Sequence, residues 1–356
     1  MHMIFLFNIF VIVFLLQCVF HANTTVTPIS PLNHNHNVNA TWHKFSELVV
    51  ARKGAKLSGL SELKKYFHRL GYLNDNFTDT FDDTLETAVL NYQKKLGLPI
   101  TGTLDSNTVT EIMTPRCGVS DKTIDNLGSK YTIFSDFDYP KWDNQTEITY
   151  AFSTKDMINY LSFDDIQDVL RRSFSRWASV TPLKFKEVDD YGNADIKIGF
   201  YEGDHGDGQP FDGVLGFLAH AFPRALHFDD AETWVNIDYK SKVGVDLESI
   251  ATHEIGHVLG LGHSSVEKAI MYPNFKRGVK KADLNIDDVE GIQKIYGPNP
   301  NKAFVESDSS SYGPEGGRSV VKWNNKSLLK NGKRNPNKNP FLDECQKKQV
   351  SKVDKD

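Results

Sequence analysis

The stretch that decides the fold is HEIGHVLGLGH, residues 253–263. On a helix, His253 and His257 lie one turn apart and point the same way, so both imidazoles can reach one zinc ion. Glu254 lies beside them on the same turn. This spacing predicts a helix that carries two metal ligands and a carboxylate.

The turn after this helix supplies a third ligand. Gly260 can end the helix with a positive φ, which brings His263 back to the same metal. Three neutral imidazoles leave the fourth position to water, as in catalytic zinc sites, whereas a structural site would use four protein ligands. Zinc lowers the pKa of its water to about 7, and Glu254 can take the proton as that water attacks a carbonyl. The motif therefore predicts metal-assisted hydrolysis with Glu254 as the catalytic base.

Residues 131–298 combine strand and helix patterns around this motif. A long amphipathic helix is predicted over Asp164–Val180, a second from Asp246, and a third after Asn285, whose side chain can cap it. Strand-like runs are Ile148–Phe152, Leu183–Val188, Ile196–Phe200, Gly216–Phe222 and Trp234–Ile237. We expect one α+β domain, with a mixed twisted sheet and three helices.

Residues 41–130 are predicted to form a small all-α unit. Apolar residues recur at helical spacing up to Gly71, which ends a first helix. A second helix starts near Leu85, and a short third one follows Asp105. The bundle ends at Cys117.

The two ends of the chain have other compositions. The apolar run Ile4–Phe20 predicts a secretory signal over residues 1–22, and it is too short for a stable membrane span. Residues 23–40 lack periodicity and predict a flexible spacer. Residues 299–356 hold 12 Lys and Arg against 7 Asp and Glu, which predicts a disordered basic tail. Such a tail could touch an anionic matrix or simply be solvated.

Charge and cysteine content exclude two classes of protein. The net charge of −5 over 356 residues argues against nucleic-acid binding through phosphate attraction. The three cysteines, Cys18, Cys117 and Cys345, are too few for a disulfide scaffold, and Cys18 would leave with the signal. Five Asn-X-Ser/Thr sequons fit an exported glycoprotein.

Several motifs together resemble the matrix metalloproteinases, or matrixins, of the metzincin clan. Residues 253–263 resemble the zinc signature of the clan, and AIMYP at 269–273 resembles its Met-turn, which would place Met271 beneath the metal. Residues 41–130 resemble the peptidoglycan-binding-like fold of the family's prodomain. The chain has no haemopexin-like propeller, so it resembles the short plant matrixins.

The segment PRCGVSD, residues 115–121, resembles the cysteine switch of this family. The resemblance implies that the Cys117 thiolate takes the fourth zinc position and keeps the zymogen latent, since a thiolate is a strong zinc ligand. It also implies a salt bridge between Arg116 and Asp121. The family has proline where this chain has Ser120.

A second group of histidines and carboxylates suggests further metals. Three histidines and one aspartate make a closed set suited to structural zinc, and the resemblance assigns His205, Asp207, His220 and His227 to it. It likewise implies at least one calcium ion, since calcium prefers oxygen ligands. The implied calcium ligands are Asp212, Asp229 and Glu232, with main-chain oxygens of Gly213, Leu215 and Phe217.

We therefore expect a secreted, zymogen-type zinc endopeptidase that cleaves extracellular matrix or cell-surface proteins, in the apoplast or cell wall if the source is a plant. Its substrates would be extended peptide segments paired with the edge strand at Gly216–Ala219 and the wall at Tyr272–Asn274. A hydrophobic side chain at P1′, the first residue after the scissile bond, would enter a pocket lined by Leu247, His253 and Tyr272. A separate protease would activate the chain between Lys130 and Tyr139.

Two other readings stay open at this stage. The fold could be kept without turnover, giving a catalytically impaired matrixin that acts as an extracellular interaction protein. The prodomain's resemblance also allows a module that binds wall polysaccharide.

Overall fold

The structure is a computed structural model, and it describes residues 41–122, 131–134, 141–142, 147–236 and 243–301. The predicted signal, the spacer and nearly all of the predicted tail lie outside the described residues, as do Cys18 and Cys345. Much of the expected activation region does too. None of the described helices is long and apolar enough to cross a membrane.

The N-terminal unit has the three predicted helices, preceded by a 3-10 helix. Asp82 caps the second helix by accepting from the Leu85 N–H, and Asp105 caps the third by accepting from the Thr108 N–H. Their apolar faces meet in a core in which Phe67 is fully buried. In chain order the elements are the 3-10 helix Thr41–Leu48, α1 Leu60–Arg69, α2 Asp83–Lys95 and α3 Ser106–Ile112.

The larger unit is built on a six-stranded mixed sheet of order β1-β5-β6-β4-β2-β3. Only the β5–β6 pair is antiparallel among the pairings of this sheet. The strands are β1 Arg116–Cys117, β2 Glu147–Phe152, β3 Lys184–Glu187, β4 Ile196–Tyr201, β5 Phe217–Phe222 and β6 Ala225–Asp229. A two-stranded sheet follows, with β7 Trp234–Val235 and β8 Val245–Asp246.

Three helices complete this unit, as predicted: α4 Phe163–Val180, α5 Leu247–Val258 and α6 Ile286–Tyr296. Each begins at a side-chain cap, and Asn285 closes a capping box at α6. The buried Trp177 of α4 donates its indole N–H to the Thr252 carbonyl of α5 at 2.8 Å. This contact fixes α5, which carries HEIGH, against the longest helix of the domain.

Three strands are absent from the sequence-based prediction: β1, β6 and β8. Only Pro223 and Arg224 form the turn after β5, and β6 begins at Ala225. Strand β1 was also missed, because its partner β5 lies about a hundred residues away in the chain. The strand predicted over Trp234–Ile237 ends at Val235, and Ile237 lies outside the described residues.

Candidate metal centre

Helix α5 carries three of the predicted site residues. Asp246 starts the helix by accepting from the Ser249 N–H at 2.9 Å, and Gly260 follows its end with a φ of 97°. The side chains of His253, Glu254 and His257 are completely buried. The helix and the turn after it therefore direct these groups into one dry interior site.

Met271 packs directly against this helix. A Cβ atom added at Gly256 would lie 2.4 Å from the Met271 sulfur, so only glycine lets the thioether approach between the two histidine positions. The Asp288 carboxylate accepts from the Ile270 N–H at 2.9 Å and from the Met271 N–H at 3.0 Å. Met271 thus packs against α5 at Gly256, on a turn that is held by hydrogen bonds.

The three imidazoles converge through their Nε2 atoms. His257 Nε2 lies 3.0 Å from His253 Nε2 and 3.1 Å from His263 Nε2. The Nδ1 atoms of His253 and His257 each lie 2.7 Å from a main-chain carbonyl, and that of His263 lies 2.5 Å from the Asp121 carboxylate. These oxygens can only accept, so Nδ1 carries the proton and each Nε2 keeps a lone pair. Three facing lone pairs repel one another unless a cation lies between them, so this donor set fits a metal ion.

Cys117 provides a fourth donor on the open side of the histidines. Its Sγ lies 3.4 Å from His257 Nε2, and the four donor atoms all lie within 4.8 Å of one another. The Cys117 N–H donates to the Pro273 carbonyl at 2.9 Å, and the Gly118 N–H donates to the Ala219 carbonyl at 2.8 Å. The thiol is therefore held between the sheet edge and the wall that follows Met271.

Burial controls the charges in this site. It lowers the pKa of His253 and His257 far below the usual value, which keeps both rings in the neutral form that binds metal. Burial and the nearby Glu254 carboxylate raise the pKa of the Cys117 thiol, and a divalent cation among the donors would have the opposite effect. Burial also raises the pKa of Glu254 to about 8, and neither of its carboxylate oxygens has a hydrogen-bond partner. Glu254 is thus a buried carboxyl group suited to exchanging a proton with a bound molecule.

Asp121 connects the segment after β1 to the converging histidines. Its Oδ1 lies 2.9 Å from the Arg116 guanidinium and 2.5 Å from His263 Nδ1, with both side chains of the ion pair almost completely buried. Burial alone would raise the pKa of Asp121, but the Arg116 charge and the His263 hydrogen bond hold it well below its usual range. The His263 contact was not predicted, since 142 residues separate the partners and no local pattern signals it.

Ser120 anchors the same segment by hydrogen bonds. Its hydroxyl donates to the Leu70 carbonyl at 3.0 Å and accepts from the Lys122 N–H at 3.1 Å. The Asp121 N–H donates to the same carbonyl of Leu70 at 3.0 Å. These hydrogen bonds tie the segment to the end of α1.

The second histidine cluster converges around one carboxylate oxygen. Asp207 Oδ2 lies 2.6 Å from His205 Nε2, 2.8 Å from His220 Nε2 and 2.9 Å from His227 Nδ1. Burial lowers the pKa of His220 to about 3, so this imidazole is a neutral donor. Four converging protein donors fit a closed metal site.

The carboxylates implied for calcium form a looser group. Asp229 and Glu232 are buried, and each has one oxygen without a hydrogen-bond partner. Burial and neighbouring carboxylates raise the pKa of Asp229 to about 7 and that of Glu232 to about 8. Among the described residues, the sets of His, Cys, Asp or Glu donors that converge within 4.8 Å are the two histidine clusters, and this group is not one of them.

Comparison with known proteins adds the family context. The matrixin family model matches residues 141–297, and the model of a putative peptidoglycan binding domain matches residues 57–112. Metalloendoproteinase 1-MMP of Arabidopsis thaliana is 55% identical over 280 residues, which cover 74% of this chain and 76% of the relative. Metalloendoproteinase 4-MMP of the same plant is 50% identical over 275 residues, covering 73% and 79%. Human matrilysin is 37% identical over 257 residues, covering 68% and 89%.

Proposed function

Because the chain belongs to the matrixin family of zinc metalloendopeptidases, we propose that it cleaves extracellular proteins at a zinc ion held by His253, His257 and His263. The observation that carries this proposal is the convergence of three Nε2 lone pairs beside the unpartnered carboxylate of Glu254. Bound zinc would supply Lewis acidity to the scissile carbonyl and to the attacking water.

Glu254 is the catalytic residue of this proposal. Its carboxylate takes a proton from the water as that water attacks, and the same group then donates the proton to the departing amine nitrogen. In the unprocessed chain burial raises the pKa of Glu254 to about 8, and a bound zinc ion would lower this value, so that the ionised carboxylate could accept a proton near neutral pH.

The substrate is proposed to bind as an added β-strand. Strand β1 supports this mode, because the Arg116 N–H donates to the Gly216 carbonyl at 3.1 Å and the Gly118 N–H donates to the Ala219 carbonyl. A substrate strand would use the same edge of β5 once residues 115–118 have left. The P1′ side chain would be hydrophobic, in the pocket that we assign to Leu247, His253 and Tyr272.

Latency is proposed to depend on Cys117, with Arg116 and Asp121 holding its segment in place. The short distance from Sγ to His257 Nε2 and the buried ion pair support this. We further propose secretion through the signal at residues 1–22, a prodomain over 41–130, a catalytic domain over 131–298, and release by an activating protease. Structural zinc at His205, Asp207, His220 and His227, and calcium at the group around Asp229, belong to the same proposal.

The decisive experiment compares the processed wild-type chain with Glu254→Ala on a quenched fluorogenic peptide, with and without a zinc chelator. We expect cleavage by the wild type, and losses of at least about 100-fold in the variant and with chelator. No cleavage by metal-loaded, processed wild type would contradict the proposal.

A second candidate is binding of wall polysaccharide, which the match to a peptidoglycan binding domain over residues 57–112 favours. Sedimentation of the unprocessed Glu254→Ala variant with insoluble cell-wall material tests it. Retention that is abolished by soluble wall glycans would support this function in addition to proteolysis.

A further inference from the structure

The wall that follows Met271 binds a carboxylate of the prodomain. Glu111, on α3, accepts from the Tyr272 hydroxyl at 2.8 Å and from the Asn274 side-chain amide at 2.7 Å through the same oxygen, Oε1. The Asn274 Nδ2 also donates to the main-chain carbonyl of Glu111 at 3.0 Å. The Glu111 side chain thus accepts hydrogen bonds from two side chains of the larger unit.

These donors are oriented toward the prodomain. Asn274 presents its NH2 group to two oxygens of Glu111, while its own Oδ1 is buried without a hydrogen-bond partner. The opposite amide orientation would set Oδ1 against both oxygens, so the network fixes Nδ2 as the donor. Tyr272 and Asn274 are only 6% and 7% exposed.

A cation lies close to Tyr272. The Lys281 ammonium lies 5.4 Å from the centroid of the Tyr272 ring and 4.8 Å from that of Phe275. A cation at the face of a phenol ring favours a hydroxyl that donates to an anion. Glu267, the carboxylate on this side, is exposed and lies 3.3 Å from the Lys276 ammonium.

The main chain of the wall also forms hydrogen bonds with the segment that contains Cys117. The Cys117 N–H donates to the Pro273 carbonyl, and the Phe275 N–H donates to the Pro115 carbonyl at 2.8 Å. Removal of the prodomain therefore frees two main-chain groups together with the Tyr272 and Asn274 donors. A substrate strand bound to this wall would place its side chains next to the Tyr272 and Asn274 donors.

The direction in which a substrate runs along β5 determines which of its side chains lie next to Tyr272 and Asn274. Cys117 pairs with Ala219 and Arg116 pairs with Phe217, so the wall donors lie toward the Phe217 end of β5. Strand β1 pairs with β5 in parallel, and antiparallel pairing is slightly more stable per residue, so we expect a substrate to run antiparallel to β5. Such a substrate runs from Ala219 toward Phe217, which puts the residues after the scissile bond on this side.

We propose that Tyr272 and Asn274 form a specificity subsite for a carboxylate or carboxamide side chain two or three residues after the scissile bond. Glu111 occupies this subsite in the unprocessed chain as an internal stand-in for that side chain. The inference rests on the proposed peptidase function and adds a substrate class to it.

The test uses the full-length chain processed by limited proteolysis, with its new N-terminus determined. Quenched fluorogenic peptides carry Glu, Gln, Ala or Lys at the second or third position after the scissile bond and are otherwise identical. We expect kcat/KM for the Glu and Gln peptides to exceed that of the Ala peptide about five- to tenfold at one of these positions, with Lys the poorest.

Two variants assign the preference to the wall. In Asn274→Asp the donor becomes an anion, so the order of the Glu and Lys peptides should reverse, and in Tyr272→Phe the Glu-to-Ala ratio should fall about threefold or more. Ratios are taken within each variant, so a change in its overall rate cancels. Tyr150→Phe is the matched control, because its hydroxyl lies 3.4 Å from Glu187 on β3, away from the wall, and its ratio should equal that of the wild type.

Equal cleavage of all four peptides by the processed wild type would overturn the subsite while leaving the peptidase function intact. A preference that persists unchanged in Asn274→Asp would also overturn it. Failure to cleave any peptide would instead contradict the proposed function.

Discussion

The geometry of the metal centre depends on residues that are not themselves proposed zinc ligands. Gly256 separates two proposed zinc ligands on α5 and has no metal-binding atom, yet its missing side chain admits the Met271 sulfur. Asp121 lies 142 residues before the third histidine, His263, yet its carboxylate is the acceptor for that histidine. Both positions connect the ligands to the parts of the fold that support them.

Gly256→Ala should destabilise the domain. The added methyl group would lie 2.4 Å from Met271 Sδ and 2.9 Å from the Trp177 ring, and such overpacking costs about 1–3 kcal/mol. Urea unfolding of the full-length chain measures the loss. Gly192→Ala is the matched control, since its nearest contact would be an ordinary 3.4 Å from Asp190, and it should unfold like the wild type.

Asp121→Asn should weaken latency. The substitution leaves the Arg116 guanidinium buried without its counter-charge, and breaking such a pair costs about 3–5 kcal/mol. We expect the unprocessed variant to cleave a fluorogenic peptide, where the unprocessed wild type does not. Asp83→Asn, at an exposed ion pair with Lys53 in the same prodomain, is the control and should stay latent. An inactive, folded and unprocessed Asp121→Asn chain would count against this role.

At the scale of elements, a buried carboxylate joins the two longest helices of the catalytic unit. Glu248 of α5 is 1% exposed and lies beside Arg172 and Arg176 of α4 and Lys280 of the segment before α6. Burial alone would raise its pKa, but hydrogen bonds from Arg172 and Lys280, with the Arg176 charge, lower it to about 2. The helix with the proposed ligands is thus fixed electrostatically at its first turn.

Glu248 therefore predicts a pH dependence of stability. A carboxyl group with a lowered folded-state pKa stabilises the fold fully above its unfolded value, near 4.5, and this contribution is lost as the pH falls toward 2. In Glu248→Gln, the free energy of unfolding should be lower at pH 7 by a few kcal/mol, on the order of the cost of breaking a buried pair. Its decline between pH 4.5 and pH 2 should also be shallower. Chemical unfolding across this pH range measures both effects, and parallel curves for variant and wild type would contradict the assignment.

The elements that sequence reasoning predicted are those with a local signal. Helices α1 to α6 follow from apolar periodicity and from caps such as Asp105, Asp246 and Asn285, all of which depend on neighbouring residues. Strands β1, β6 and β8 were missed, since the two-residue strands β1 and β8 have no period and the turn at Pro223 resembles a loop. The hydrogen bonds of Asp121 and Glu111 connect residues more than 140 positions apart, so only the folded chain reveals them.

At the scale of the whole molecule, the described residues contain one cysteine, Cys117, and no disulfide. Covalent cross-links therefore do not hold the described part of the catalytic unit together. The two converging donor clusters offer metal ions that role.

A chelator should accordingly lower the thermal stability of the processed chain, whereas a reductant should not. Removing an ion present at about a thousand times its Kd costs about 4 kcal/mol. Differential scanning calorimetry with EDTA, with EDTA plus excess zinc and calcium, and with dithiothreitol separates these effects. A midpoint that is unchanged by EDTA would show that the fold does not depend on metal.

The β5–β6 hairpin positions two histidines of the second cluster. His220 and His227 are direct cross-strand partners, and both contact Asp207 from the preceding loop. A slip of one residue between the strands would turn either ring to the opposite face of the sheet and separate it from Asp207. The second histidine cluster therefore fixes the register of β5, the strand with which β1 and its Cys117 pair.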